Sequence, residues 1–298
     1  MVLPNQLKRI DVMKKFKNSF YLLFGLSLAL SLASAPSVCH AHSLYIQSSR
    51  YKVNVGKQAP LFFCYGHHIP VDDGVRGKKL KSVEVLTPSG KVEKMTIRQE
   101  TGLQSYMVPY QEPGTYVLSA ETNPGYYTIY IDKKGRDRHA VKPKSAVMEN
   151  AKEITTSLHS KQFTKTYVVC QAPSEKFPAR IGQRLELVPT SDITQLKAGD
   201  TLELQVYFDG KPYEGEAHWD ATYNGFSTES EDNFYPRAKT TGSTLKIFIP
   251  RPGRWFVRYY IKTEPTGPEK EHCLHLKNTA TLVFQIDNQP KRTKSSSH

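Results

Sequence analysis

Apolar and polar residues alternate here with a period of two, in short segments cut by turn residues, and this pattern constrains the fold more than any other feature. Lys52-Val53-Asn54-Val55, Ser82-Val83-Glu84-Val85-Leu86, Tyr116-Val117-Leu118 and Thr128-Ile129-Tyr130-Ile131 show it in the first half. Leu185-Glu186-Leu187-Val188 and residues 202–208, 245–249, 255–261 and 281–286 repeat it in the second. Thr87-Pro88-Ser89-Gly90 and Glu112-Pro113-Gly114 read as turns between strands, and Asp209-Gly210 as a hairpin turn. Side chains of a strand point alternately to opposite faces, so this period predicts strands with one face buried. The chain is expected to be all-β.

An internal echo refines that expectation. Val53-Asn54-Val55-Gly56-Lys57 resembles Leu196-Lys197-Ala198-Gly199-Asp200, and Glu112-Pro113-Gly114-Thr115-Tyr116-Val117 resembles Arg251-Pro252-Gly253-Arg254-Trp255-Phe256-Val257. Gly56 stands 58 residues before Gly114, and Gly199 stands 54 before Gly253. A repeated pattern at similar spacing predicts two tandem immunoglobulin-like or transthyretin-like β-sandwiches, at residues 42–135 and 179–288. Between them, in residues 136–178, Val147, Ala151, Ile154 and Leu158 form a helical stripe that Ser145 can cap. That segment is expected to be a linker with one helix, followed by a strand at 166–170; residues 289–298 read as a disordered tail.

Residues 1–41 read as an export signal. The apolar run 20–35 follows Lys14, Lys15 and Lys17, is shorter than the roughly 20 residues of a spanning helix, and leads to Cys39-His40-Ala41. Cleavage after Ala41 makes His42 the first residue; cleavage at Ala33-Ser34-Ala35 is disfavoured because proline follows. No second long apolar stretch exists, so the mature chain is expected without a transmembrane segment, in the periplasm. The formal charge of +13 falls to about +9 when five cations and one anion leave with the leader. Through most of the remaining segments Lys and Arg alternate with acids rather than gathering on one stripe, which argues against nucleic acid.

Four of the remaining features bear on chemistry. Tyr65-Gly66-His67-His68-Ile69-Pro70-Val71-Asp72-Asp73-Gly74 leaves the strand Leu61-Phe62-Phe63-Cys64 and packs two His, two Asp and a nearby Cys into one loop. Imidazole and carboxylate donors suit nickel, cobalt, zinc or copper, with geometry deciding among them. An amino-terminal His42 carries an amine and an imidazole on one residue, enough to close a chelate ring, and residues 44–46 read as an edge strand to hold it. In Glu216-Ala217-His218-Trp219-Asp220-Ala221-Thr222, the residues His218, Asp220 and Thr222 share one face. Glu271-His272-Cys273-Leu274-His275 is either a soft-metal motif or, as an oxidising compartment favours, the site of a Cys170–Cys273 disulfide that leaves Cys64 free. Gly-x-Ser-x-Gly, Walker and His-Glu-x-x-His motifs are missing, which argues against a hydrolase of known type.

In order along the chain, His42-Ser43-Leu44-Tyr45-Ile46, Tyr65-Gly66-His67-His68 with Pro70 and Asp72, Leu185-Glu186-Leu187-Val188-Pro189, Lys197-Ala198-Gly199-Asp200 and Arg251-Pro252-Gly253-Arg254-Trp255 resemble periplasmic proteins of unknown function formerly described as NikM-like nickel-uptake components. The resemblance spans nearly the whole mature chain. It implies an all-β periplasmic protein associated with a membrane importer of the energy-coupling-factor type, with His42, His67 and His68 at the presumed metal site and nickel or cobalt as cargo. Asp72 and Cys64 are secondary candidate ligands, and copper or zinc are alternative metals. No enzymatic activity is expected. The competing readings are a module that binds protein or glycan through Tyr126, Tyr127 and Trp219, and a copper enzyme built on His42.

Overall fold

The structure, a computed structural model that describes residues 42–67 and 69–288, is all-β, and its helical segments are short 3-10 turns. Its principal strands are β1 (Ser43–Ser48), β2 (Lys57–Gly66), β3 (Leu80–Leu86), β4 (Ser105–Tyr110), β5 (Gly114–Thr122), β6 (Gly125–Asp132) and β7 (Ala151–Cys170). The second half adds β8 (Leu185–Pro189), β9 (Thr201–Phe208), β10 (Ala217–Tyr223), β11 (Tyr235–Thr240), β12 (Thr244–Phe248), β13 (Gly253–Thr263) and β14 (His275–Ile286). The segments read above as an export signal and a disordered tail, and His68, lie outside the described residues.

One eleven-stranded sheet follows the path β11-β10-β13-β14-β7-β5-β3 and ends in Val92–Lys94. Two smaller sheets, β1-β2-β4 and β8-β9 with β12 against β9, pack on it. Alternation decides which face each covers. On β13, Trp255, Val257, Tyr259 and Ile261 point one way and join Leu187, Leu204, Val206 and Ile247 of the β8-β9-β12 sheet in one buried core. Phe256, Arg258 and Tyr260 point the other way. On that opposite face, Tyr116 and Leu118 of β5 and Val168 of β7 join Leu44, Ile46, Leu61, Phe63 and Val108 in a second core. The small sheets therefore lie on opposite faces, and the face carrying Arg258 and Tyr260 is left polar beside β1.

The internal echo has a geometric counterpart. Gly56 and Gly199 take φ of 79° and 100°, and their N–H groups donate to the carbonyls of Tyr110 and Ile249, each at 2.7 Å. Gly114 and Gly253, four residues beyond those carbonyls, take φ of 137° and 133°. Glycine adopts such conformations without the steric cost of a side chain, which explains the residue type at all four positions.

Residues 136–178 depart from expectation. The stripe Val147, Ala151, Ile154 and Leu158 forms no helix: a 3-10 turn at Lys144–Ala146 leads to β7, which is 20 residues long. Ile154-Thr155-Thr156 and Tyr167-Val168-Val169 are β-branched and aromatic residues that suit a pleated surface. Both strand edges are also used, by β14 in parallel along Leu158 to Thr166 and by β5 antiparallel along Tyr167 to Cys170. Pairing with both halves of the chain outweighs local helical periodicity.

The Cys170–Cys273 bridge is corrected as well, since both are free thiols. Leu274, next to Cys273, donates its N–H to the Ser157 carbonyl at 2.9 Å, whereas Cys170 ends the same strand, β7. The length of strand from 157 to 170 is about 40 Å at ~3.3 Å per residue, and a disulfide needs Cα atoms within about 7 Å.

Candidate functional site

The register of β1 on β2 pairs Ser43 with Gly66 and Leu44 with Tyr65, so the residues just outside each end, His42 and His67, face one another. Their ring centroids are 4.7 Å apart, and His42 lies 5.5 Å from the Tyr65 ring. Among the described residues the outer edge of β1 has no strand partner, but it is not unsatisfied. Leu44 N donates to Gln162 Oε1 at 2.6 Å, Ile46 N to Thr164 Oγ1 at 3.0 Å, and Thr281 Oγ1 donates to the Leu44 carbonyl at 2.7 Å. Gln162 Nε2 also donates to the His42 carbonyl at 2.9 Å. Side chains of β7 and β14 thus fix the start of β1 over the large sheet, because buried backbone donors must find acceptors.

His67 is held from two directions. Its backbone N donates to Asp72 Oδ2 at 2.5 Å, and its Nδ1 lies 2.5 Å from Glu231 Oε1. An ionised carboxylate only accepts, so the Nδ1 proton points to Glu231 and Nε2 is the nitrogen with which His67 would bind a metal. Glu231 has φ of 62°, a left-handed conformation that costs a non-glycine residue on the order of 1 kcal/mol. Arg258 compensates by donating from Nη1 at 2.9 Å and Nη2 at 2.6 Å, and Arg237 contacts the same carboxylate. Arg258 simultaneously binds Asp220, fully buried, from Nε at 3.0 Å and Nη2 at 2.8 Å.

Electrostatics follow from this arrangement. Burial pushes the Glu231 carboxyl up, but the hydrogen bonds from His67 and Arg258 and the charges of both arginines outweigh it and hold the group well below the usual carboxylate range. Burial, and then the neighbouring His67, push the His42 imidazole below its ordinary value, against the pull of Asp73 and Asp72. Both effects favour the neutral imidazole, the state a metal requires.

The structure thus brings together His42 and His67, with Asp72 beside them. Asp72 also staples the loop, accepting from the His67 and Asp73 backbones, and Gly66 is required because a Cβ there would lie 2.1 Å from Asp72 Oδ2. Cys64 is buried among Tyr45, Tyr51, Phe256 and Val283, and burial raises its thiol pKa, away from the thiolate that binds metals. Among the described residues, no three His, Cys, Asp or Glu side chains converge on one metal position. No helix among them is long and apolar enough to cross a membrane. Glu231, Arg258 and Arg237 escaped sequence reading. The one available signal was a charged residue, Arg258, in the middle of the apolar strand Trp255-Phe256-Val257-Arg258-Tyr259-Tyr260.

The sequence model of a domain of unknown function, DUF4198, matches residues 39–263. No curated protein sequence matches the chain. Among solved structures it is similar to Escherichia coli alpha-2-macroglobulin activated by porcine elastase, at 11% identity and a TM-score of 0.23, covering 83% of this chain and 20% of that one. Salmonella alpha-2-macroglobulin reacted with methylamine is 12% identical with a TM-score of 0.22, over 83% of this chain and 15% of its own. The chain therefore spans a fifth or less of the length of those proteins. The two tandem V-type regions of a v-region-containing chitin binding protein are 9% identical with a TM-score of 0.22, covering 82% of this chain and 100% of theirs.

Proposed function

We propose that this chain, which belongs to the DUF4198 family, is a non-enzymatic periplasmic binder of a divalent transition metal, nickel or cobalt, that hands the ion to a membrane importer of the energy-coupling-factor type. The observation that carries this reading is the pair His42 and His67, ring centroids 4.7 Å apart, with His67 oriented by Glu231 through Nδ1. A carboxylate behind a histidine is the usual second partner of a metal-bound imidazole, fixing its tautomer and raising its basicity. The likeness to NikM-like nickel-uptake proteins points the same way. On this reading the signal is cut after Ala41, and the freed amine of His42 joins its imidazole as a donor. The two cores support a matching view of the fold as two related sandwiches that share β7.

The alternative, a protein- or glycan-binding module, draws less support from the aromatics it needs. Tyr126 is stacked on His159 at 4.3 Å and donates to Glu269 at 2.8 Å, and Trp219 packs against Tyr235.

Calorimetric titration of nickel or cobalt chloride into the processed protein tests the proposal. One extra residue before His42 removes the amine chelate while leaving the fold intact, and His67→Ala removes the opposing donor. Each change is expected to weaken binding at least tenfold, about 1.4 kcal/mol, with little further loss when both are combined. Equal affinity for extended and native termini would remove His42 from the site and favour the interaction module.

A further inference from the structure

The polar face of the large sheet continues past His42, and its register can be read across four strands. Gln162 pairs with Thr279, Thr279 with Tyr260 and Tyr260 with His218, forming the row beneath His42. The next row along the face is Ser160, Lys277 and Lys262, about 7 Å further on. Because β1 runs parallel to β7 here, with Leu44 on Gln162 and Ile46 on Thr164, tracing β1 back through His42 leads toward that second row.

Three properties single out this floor. Lys277 is half-buried, stands 4.5 Å over the Tyr260 ring, and forms no ion pair among the described residues. Burial, with the charges of Arg258, Lys262 and Arg237, pushes its ammonium down to about 7. Thr279, 1% exposed, has a hydroxyl with no hydrogen-bond partner among the described residues, and it lies on the same face as Thr281, whose hydroxyl reaches up to β1. Tyr260 is walled by His218, stacked at 5.0 Å, and by Arg237 at 5.6 Å. Crowded cations and a buried hydroxyl without a partner are costly alone and are relieved together by one anionic oxygen ligand.

From this juxtaposition we infer that Lys277, Thr279 and Tyr260 form a carboxylate-binding floor beside His42, and that the metal is taken as a complex with a small carboxylate-bearing chelator. The second part rests on the metal-binding reading above. Two imidazoles and one amine leave a divalent ion with positions to spare, and the chelator's donors fill them while its outer carboxylate meets Lys277 and Thr279.

The test is calorimetric titration of citrate into the nickel-loaded, processed protein and into the metal-free protein. A one-to-one ternary complex is expected, weakened at least tenfold by Lys277→Met and retained by Lys277→Arg, while affinity for nickel chloride is unchanged in both. Thr279→Val, which keeps the shape, is expected to weaken citrate binding in the same direction. Citrate that merely strips nickel from the protein, or binds Lys277→Met as tightly as the native chain, overturns the inference and leaves the metal site standing. If nickel chloride does not bind at all, the metal reading fails. Lys277-dependent binding of citrate to the metal-free protein then supports the floor by itself, and its absence overturns the floor too.

Discussion

Replacing Arg258 with Met is expected to destabilise the protein by about 3–5 kcal/mol in urea unfolding, the cost of breaking a buried ion pair from one side. The guanidinium binds Asp220, 0% exposed, and Glu231, 10% exposed, at once, and a thioether satisfies neither carboxylate. Arg237 stays near both, at 3.5 Å from Asp220, which keeps the loss toward the lower end of that range. Adding Asp220→Leu should restore part of the stability, because removing a whole buried pair costs far less than orphaning one member. The network also carries a pH signature. Glu231 ionises at lower pH when folded, so its contribution is complete above the ordinary glutamate range, near ~4.3, and is lost as pH falls below it. Arg258→Met should therefore flatten the acid limb of the stability curve. It should also loosen His67, whose orientation depends on Glu231.

Lys165→Met is expected to cost a similar ~3–5 kcal/mol for the same reason at a different place. The Lys165 and Glu186 side chains are 1% and 0% exposed, and Nζ lies 2.6 Å from Glu186 Oε1 and 2.7 Å from the Ala179 carbonyl. Glu186 also accepts from Ile181 N at 2.7 Å and Gly182 N at 2.9 Å, so one carboxylate ties β7 to the loop that enters β8. Burial pushes the Lys165 ammonium down to about 8 against the pull of Glu186. Combining Lys165→Met with Glu186→Gln should recover part of the loss. The amide oxygen keeps one of the two backbone bonds, from Ile181 or from Gly182, and no charge is left buried and unpaired. Thermal unfolding of the two variants separates these outcomes, and a single variant as stable as the double would contradict the account.

How far the sequence carried these conclusions differs from feature to feature. Period two identified strands on both halves because alternation is local, and the paired glycines were visible because a positive φ selects its residue. The 151–158 segment misled because its apolar residues fit a helical spacing, while its partners β14 and β5 lie far away in the chain. The supposed disulfide failed for a related reason: Cys170 ends β7 while Cys273 lies beside Ser157, far back along that strand, which no spacing in sequence reveals. At the site, His42 and His67 were legible as metal-binding residue types near an edge strand. Glu231 was not, since it meets His67 from 164 residues away, and Lys277 became meaningful only when the register placed it in the row next to His42.

Native mass spectrometry of the protein exported through its own leader measures the first residue and the bound metal together. The account predicts a chain that begins at His42 and carries one nickel or cobalt ion, with the ion lost when a residue is added before His42. A chain that begins at Pro36, or one that begins at His42 and stays metal-free after exposure to nickel and cobalt, would contradict it.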